Sequence, residues 1–158
     1  MKKFLLILTA FVLAAVMTLF AGCGPSCSPD GTGGENGNTK ITEMYIKVND
    51  NKLKITLEDN SSVAALTEIL KKGDLTYTAH ANAFEIYGDI GHSLPTDDSW
   101  ITSEPGDVLL WAKSNICVFF GENSYSYTRI GKIQGYSAEY LKEMLGAHGS
   151  VQVTLSLN

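Results

Sequence analysis

Arg129 follows Tyr125 and Tyr127 at intervals of two, so in an extended chain the three side chains share one face. Two phenol rings beside a guanidinium could grip a carboxylate or a peptide carbonyl, because a guanidinium stacks on tyrosine and offers a planar fork of donors. The plainer reading is a surface cross-strand ladder with Arg129 in a salt bridge. A second group, Tyr87, His92, Leu94 and Trp100, flanks or occupies a stretch rich in Gly, Pro, Asp and Ser. An exposed tryptophan there would be a contact surface, although Trp100 could equally fold back as a lid. These seven residues are the ligand-binding candidates. His80 and His92 with Asp97 and Asp98 have no compact metal-ligand spacing, and Asp97-Asp98 near Pro95 is ordinary turn chemistry. Glu85 and Asp89 do not make an acid–base pair on spacing alone. Serine and histidine occur without a nucleophile elbow. Gly31–Gly34 stands in a linker rather than between a strand and a helix, so it is no phosphate loop. No metal or cofactor is expected, and no catalytic residue is identified.

Composition narrows the partners. The chain has 158 residues, 44% of them hydrophobic and 18% charged, with a formal charge of −5. Beyond residue 22 it carries ten basic and seventeen acidic side chains, near −7. Neutralising a phosphate backbone takes Lys/Arg clusters, and none is present, so nucleic acid is not an expected partner.

The front end has the plan of an export signal: Lys2-Lys3, an apolar run of 17 residues from Phe4 to Phe20, then Ala21-Gly22-Cys23. A spanning helix takes about 20 residues, which makes the run marginal as an anchor. Phe20-Ala21-Gly22-Cys23 resembles the lipobox of bacterial lipoproteins, with Phe20 where leucine is usual. The resemblance implies a diacylglyceryl group on the Cys23 thiol and cleavage before it. An ordinary signal peptide and an uncleaved anchor are the alternatives. Acyl chains at about 0.8 kcal/mol per buried CH₂ would hold the protein at a bilayer outside the cytoplasm. Residues 1–22 are thus read as a signal peptide and 23–40 as a lipid-anchored linker. The linker is dense in Gly, Ser, Pro and Asn, and cannot bury enough surface to offset its ordering entropy. Cys27 falls within it. A Cys27–Cys117 disulfide is chemically permitted but needless, and Cys117 reads as a buried free thiol.

Residues 41–158 must position the candidates. Period-two alternation through Met44, Ile46 and Val48, then Leu53, Ile55 and Leu57, around Asn49-Asp50-Asn51, predicts a hairpin. Asn60 or Ser61 can cap a helix through Val63, Leu66, Ile69 and Leu70, stopped at Gly73. Leu75–Ala79 and Phe84–Tyr87 are short strands, and 88–106 is a long loop. Val108–Ala112 and Ile116–Phe120 are apolar on both faces, which predicts central strands of a barrel covered by helices, with Trp111, Phe119 and Phe120 in the core. Tyr125–Ile133 is a further strand, Ser137 caps a short helix ending at Gly146, and alternation from Val151 to Leu157 closes the chain. The fold expected is mainly β, a closed barrel of about eight strands capped by two short helices.

Pro105-Gly106-Asp107-Val108, the hairpin ending Phe119-Phe120-Gly121, and Ser124 through Ile133 together resemble the bacterial cyclophilin-like family. Tyr87-Gly88 followed by Ser93-Leu94-Pro95 resembles a loop of that family. The resemblance implies an eight-stranded barrel with two helices, but fold and activity are separable. True cyclophilins are prolyl isomerases that use an arginine donor and an apolar proline pocket. Their long signature is absent here, and Arg129, the only arginine, lies in a late strand rather than at the catalytic position. The expected function is a non-catalytic module holding a peptide segment or small ligand near Tyr127 and Arg129, anchored at the cell envelope by its lipid. The alternatives are an envelope prolyl isomerase and a structural domain with a filled barrel.

Overall fold

The structure, a computed structural model, describes residues 40–158. The expected signal peptide, the expected lipidation at Cys23, Cys27 and nearly all of the expected linker lie outside the described residues. In chain order the elements are β1 (Glu43–Val48), β2 (Asn51–Leu57), α1 (Ser61–Leu70), β3 (Leu75–Ala81), β4 (Glu85–Asp89) and β5 (Ser99–Thr102). There follow β6 (Asp107–Trp111), β7 (Asn115–Phe119), β8 (Ser124–Lys132), α2 (Ala138–Met144) and β9 (Ser150–Ser156).

Local chemistry sets the hairpins and caps. Asn49 takes a left-handed φ of 53° in the β1–β2 turn, which asparagine tolerates better than most residues. The Asn60 side chain accepts a hydrogen bond from the Val63 amide at 2.9 Å, capping α1, and donates to the Arg129 carbonyl at 2.7 Å. Ser137 caps α2 through the Tyr140 amide, and left-handed Gly146 follows its C-cap. Pro105-Gly106 forms a turn closed by the Asp107 amide donating to the Glu104 carbonyl at 3.0 Å. Its third residue, Gly106, sits at φ 89°, where a side chain would be strained.

The strands pair in the order β2-β1-β9-β3-β4-β7-β6-β8-β5, and a further β2–β8 pairing closes eight of them into a ring. This is the closed arrangement expected. β9 lies between β1 and β3, so the ring is completed only once β9 is in place. Closure rests on Gly131, paired with Leu57: a Cβ there would collide with the Thr56 carbonyl oxygen. Met44, Ile46, Leu53, Ile55, Ile86, Val108, Leu110, Val118 and Ile130 fill the interior, together with Val63, Leu66 and Leu70 of α1 and Leu141 and Leu145 of the α2 region. Burying such side chains is the main stabilising term.

Three expectations need correction. Residues 88–106 are not all loop. Gly88 and Asp89 extend β4, and Ser99–Thr102 form β5 against Ser124–Tyr127. That pairing is non-local, and only Ile101 of β5 is buried, so no periodicity marks the strand. The outer face of β6 and β7 is covered by side chains of β5 and β8 rather than by helices: Ile101 and Tyr127 pack with Leu109, Cys117 and Phe119 in a second cluster. Trp111 is not core. It is 38% exposed at the end of β6, beside a turn where Ala112 and Lys113 hold left-handed φ of 49° and 67°.

A candidate ligand pocket on the outer face

On β4 the alternation that sends Ile86 inward sends Glu85 and Tyr87 outward, and on β7 it does the same for Cys117 between Ile116 and Val118. Tyr87 lies opposite Cys117, and Cys117 opposite Leu109 of β6. Over this surface stand Trp111, Tyr125 and Tyr127. Together with Asn82 and Asn123 they line an open surface cavity of about 340 Å³, with Glu85 and Cys117 also among its lining residues. Tyr87 and Trp111 meet edge to face at 6.4 Å, and Tyr125 and Tyr127 meet at 5.7 Å with planes 61° apart. Phe119 supports Tyr127 from beneath at 5.5 Å.

Asn82 aims the carboxylate. Its side-chain oxygen accepts from the Phe84 and Glu85 amides, fixing the β3–β4 turn, while its Nδ2 donates to Glu85 Oε1 at 2.9 Å. Glu85 is 7% exposed, and its Oε2 has no hydrogen-bond partner. An unsatisfied buried polar group costs about 1–3 kcal/mol, so such an atom calls for explanation. Burial pushes the Glu85 carboxyl above its ordinary 4.5, and hydrogen bonding from Asn82, then from the Cys117 thiol, offsets this only in part. Burial, then the charge of Glu85, pushes the Cys117 thiol well above its ordinary range, which suppresses the thiolate a nucleophile needs. Tyr127 is pushed up to about 12 by burial and then by Glu85. Its oxygen accepts from Asn123 Nδ2 at 2.9 Å, which leaves its own O–H free to donate. The pocket thus offers an acceptor, a hydroxyl donor and aromatic faces, and no activated nucleophile.

Of the residues singled out from sequence, Tyr87, Tyr125 and Tyr127 come together here. Trp100 adjoins the rim, 74% exposed and tilted against Tyr125 at 6.3 Å, so it is no lid. Arg129 does not reach the pocket. It shares the outward face opposite Leu109, but β8 bulges between its pairings with Val108 and Leu109, and the guanidinium lies 4.0 Å from buried Asp107. Lys132 contacts the same carboxylate at 2.9 Å. Leu94 is a core residue, 3% exposed, and His92 lines a separate concavity with Ile69, Lys72 and Leu75. Asp98 accepts from the Thr128 hydroxyl at 2.6 Å, and His80 bonds to Ser150. Among the described residues no group of three or more His, Cys, Asp or Glu is placed to hold a metal ion. Sequence reasoning missed Asn82, Trp111 and Asn123 and passed over Glu85. The one available signal was a charged residue at the head of an apolar strand, next to a turn-forming asparagine.

The sequence matches the model of the Cyclophilin-like family over residues 46–156. No curated protein matches. In structure the chain is similar to the hypothetical protein AF2241 from Archaeoglobus fulgidus, with a TM-score of 0.55 and 18% identity over 77% of this chain and 99% of that one. It is also similar to McbB, solved in complex with tryptophan, with a TM-score of 0.48 and 14% identity over 72% of this chain and 44% of that one.

Proposed function

This chain belongs to the Cyclophilin-like family, and on that premise we propose that it is a lipid-anchored, non-catalytic binding module of the cell envelope. Its ligand, a small molecule or a side chain of a peptide, occupies the outer-face pocket of β4, β6, β7 and β8. The observation that carries this reading is Glu85: a buried carboxylate with an unpartnered oxygen, lining an aromatic cavity of ligand size. The lack of an activated nucleophile, and the turning of Arg129 toward Asp107, favour binding over catalysis. The Lys2-Lys3, apolar run and Ala21-Gly22-Cys23 pattern supports the anchor.

The binding test is an amide NMR screen of the full chain in maltoside detergent against a fragment library spanning neutral, anionic and cationic compounds. Shifts confined to Tyr87, Trp111, Cys117 and Tyr127 are the expected result; an unperturbed pocket across the library would retire it. Mass spectrometry of the mature protein is expected to find acylated Cys23 at its N-terminus, and an unmodified cysteine would remove the anchor. Acceleration of X-Pro isomerisation, abolished by Tyr127→Phe, would replace the module with an enzyme.

A further inference from the structure

Resting on the pocket reading above, the geometry points to an organic ammonium group, a primary or methylated amine, as what this cavity holds. Four aromatic side chains, Tyr87, Trp111, Tyr125 and Tyr127, share the cavity with one carboxylate. Within each neighbouring pair the rings stand at 81° and 61°, so their faces meet at corners instead of forming parallel plates. Parallel plates suit a flat ring; a corner of tilted rings suits a rounded head group approached from several sides. The faces of tyrosine and tryptophan carry negative potential and attract cations.

Charge points the same way. None of the residues lining the cavity is Lys, Arg or His, so an anion would find no counter-charge and would face Glu85. The nearby cations on β8, Arg129 and Lys132, are drawn to Asp107 instead. Glu85 Oε2 is thus left without a counter-ion and with no hydrogen-bond partner stronger than the neighbouring Cys117 thiol, and an alkylammonium supplies the charge while a primary amine supplies the donor as well. A neutral guest could donate a hydrogen bond to that oxygen but would leave its charge without a counter-ion. A buried carboxylate of this kind favours the ligand that compensates it. The excess of acidic over basic side chains in the chain steers cations toward it.

The ammonium group could belong to a free small amine or to a lysine side chain of a peptide, and the experiment separates the two. Calorimetric and amide-NMR titrations of the full chain in maltoside detergent use choline, its uncharged isostere 3,3-dimethylbutan-1-ol, and Nα-acetyl-lysine methylamide with and without Nε-acetylation. Saturable binding of a cation, at least tenfold tighter than its uncharged counterpart (about 1.4 kcal/mol), with shifts at Trp111 and Tyr127, is expected. Choline alone binding identifies a free amine, the lysine amide alone a peptide source. Glu85→Gln is expected to lower cation affinity tenfold or more; Tyr125→Ala, at a half-exposed wall, is a second variant expected to weaken it with the fold intact. Equal binding of the uncharged isosteres overturns the ammonium inference and leaves a binding pocket in place. Absence of cation binding overturns it too, and the fragment screen decides separately whether the pocket binds anything.

Discussion

Glu85 and Tyr77 each bury a polar atom without a partner, and their consequences differ because only one of them titrates in the accessible range. Glu85 holds its proton more tightly in the folded chain than the ordinary value of 4.5 implies, because burial disfavours its charge. A raised carboxyl contributes stability below the unfolded value and loses it as pH climbs through the folded one. Glu85→Gln removes that dependence. Thermal melts are therefore expected to show wild type losing ground to Glu85→Gln as pH rises from about 4.5 toward neutrality. A difference that does not change with pH would mean the carboxyl titrates as it does unfolded. Tyr77 is a core residue whose phenol is pushed upward first by burial, so it stays neutral. Tyr77→Phe keeps the ring and deletes the orphan hydroxyl, and is expected to be neutral or stabilising by about 1 kcal/mol in urea unfolding. A loss of that size would instead mean the hydroxyl has a partner.

Two connections hold the site's walls, and each stores a measurable quantity. The β6–β7 turn carries Ala112 and Lys113 in the left-handed region directly after Trp111, and backbone bonds from Ile90 to Ser114 and from Leu94 to Lys113 pin it. Left-handed conformations cost a residue with a side chain about 1–2 kcal/mol. Lys113→Gly is expected to raise stability by about 0.5–1 kcal/mol, the relief being reduced by glycine's greater unfolded entropy. Destabilisation would show that the lysine side chain contributes more than its backbone costs. At the start of α1, Asn60 both caps the helix and holds the Arg129 carbonyl. Asn60→Ala removes two bonds at once, so a cost of about 1–2 kcal/mol is expected in chemical denaturation. A loss of only a few tenths would mean that water replaces both bonds.

At the scale of the molecule, closure of the ring depends on how near β8 comes to β2. Gly131 faces the Thr56 carbonyl and the Ile55 side chain with no room for a methyl group. Gly131→Ala is expected to cost about 1–3 kcal/mol by overpacking. Hydrogen exchange should quicken at Glu58, whose amide donates to the Ile130 carbonyl, and at Lys132, paired with Thr56, before the rest of the ring. Uniform loss of protection would indicate that the strands open only together. The same ring gives β6 and β7 two apolar faces, one turned to the interior and one to the cluster beneath Tyr127. The pocket lies on that outer face, which is why filling the interior with side chains does not remove it.

Alternation at Met44–Val48, Leu53–Leu57 and Val151–Leu157, and the caps at Asn60 and Ser137, were all legible from the chain, because each is settled between residues near in sequence. The two-sided apolar character of β6 and β7 was legible as well, though not what would cover the outer side. β5 was not, since four residues with one buried side chain form a strand only once Ser124–Tyr127 are brought alongside. The candidate pocket was half legible. Tyr125 and Tyr127 announced a shared face by spacing, but Arg129 was claimed by Asp107 across a bulge, an attraction that depends on which strand becomes its neighbour. Glu85 could not be distinguished from any surface carboxylate until β7 placed Cys117 beside it and β8 laid Tyr127 over both. Sequence determined the strands, turns and caps through short-range sterics and hydrogen bonding. Only tertiary structure decided which polar groups lost their water, because desolvation is set by what packs on top of a residue and not by what precedes or follows it.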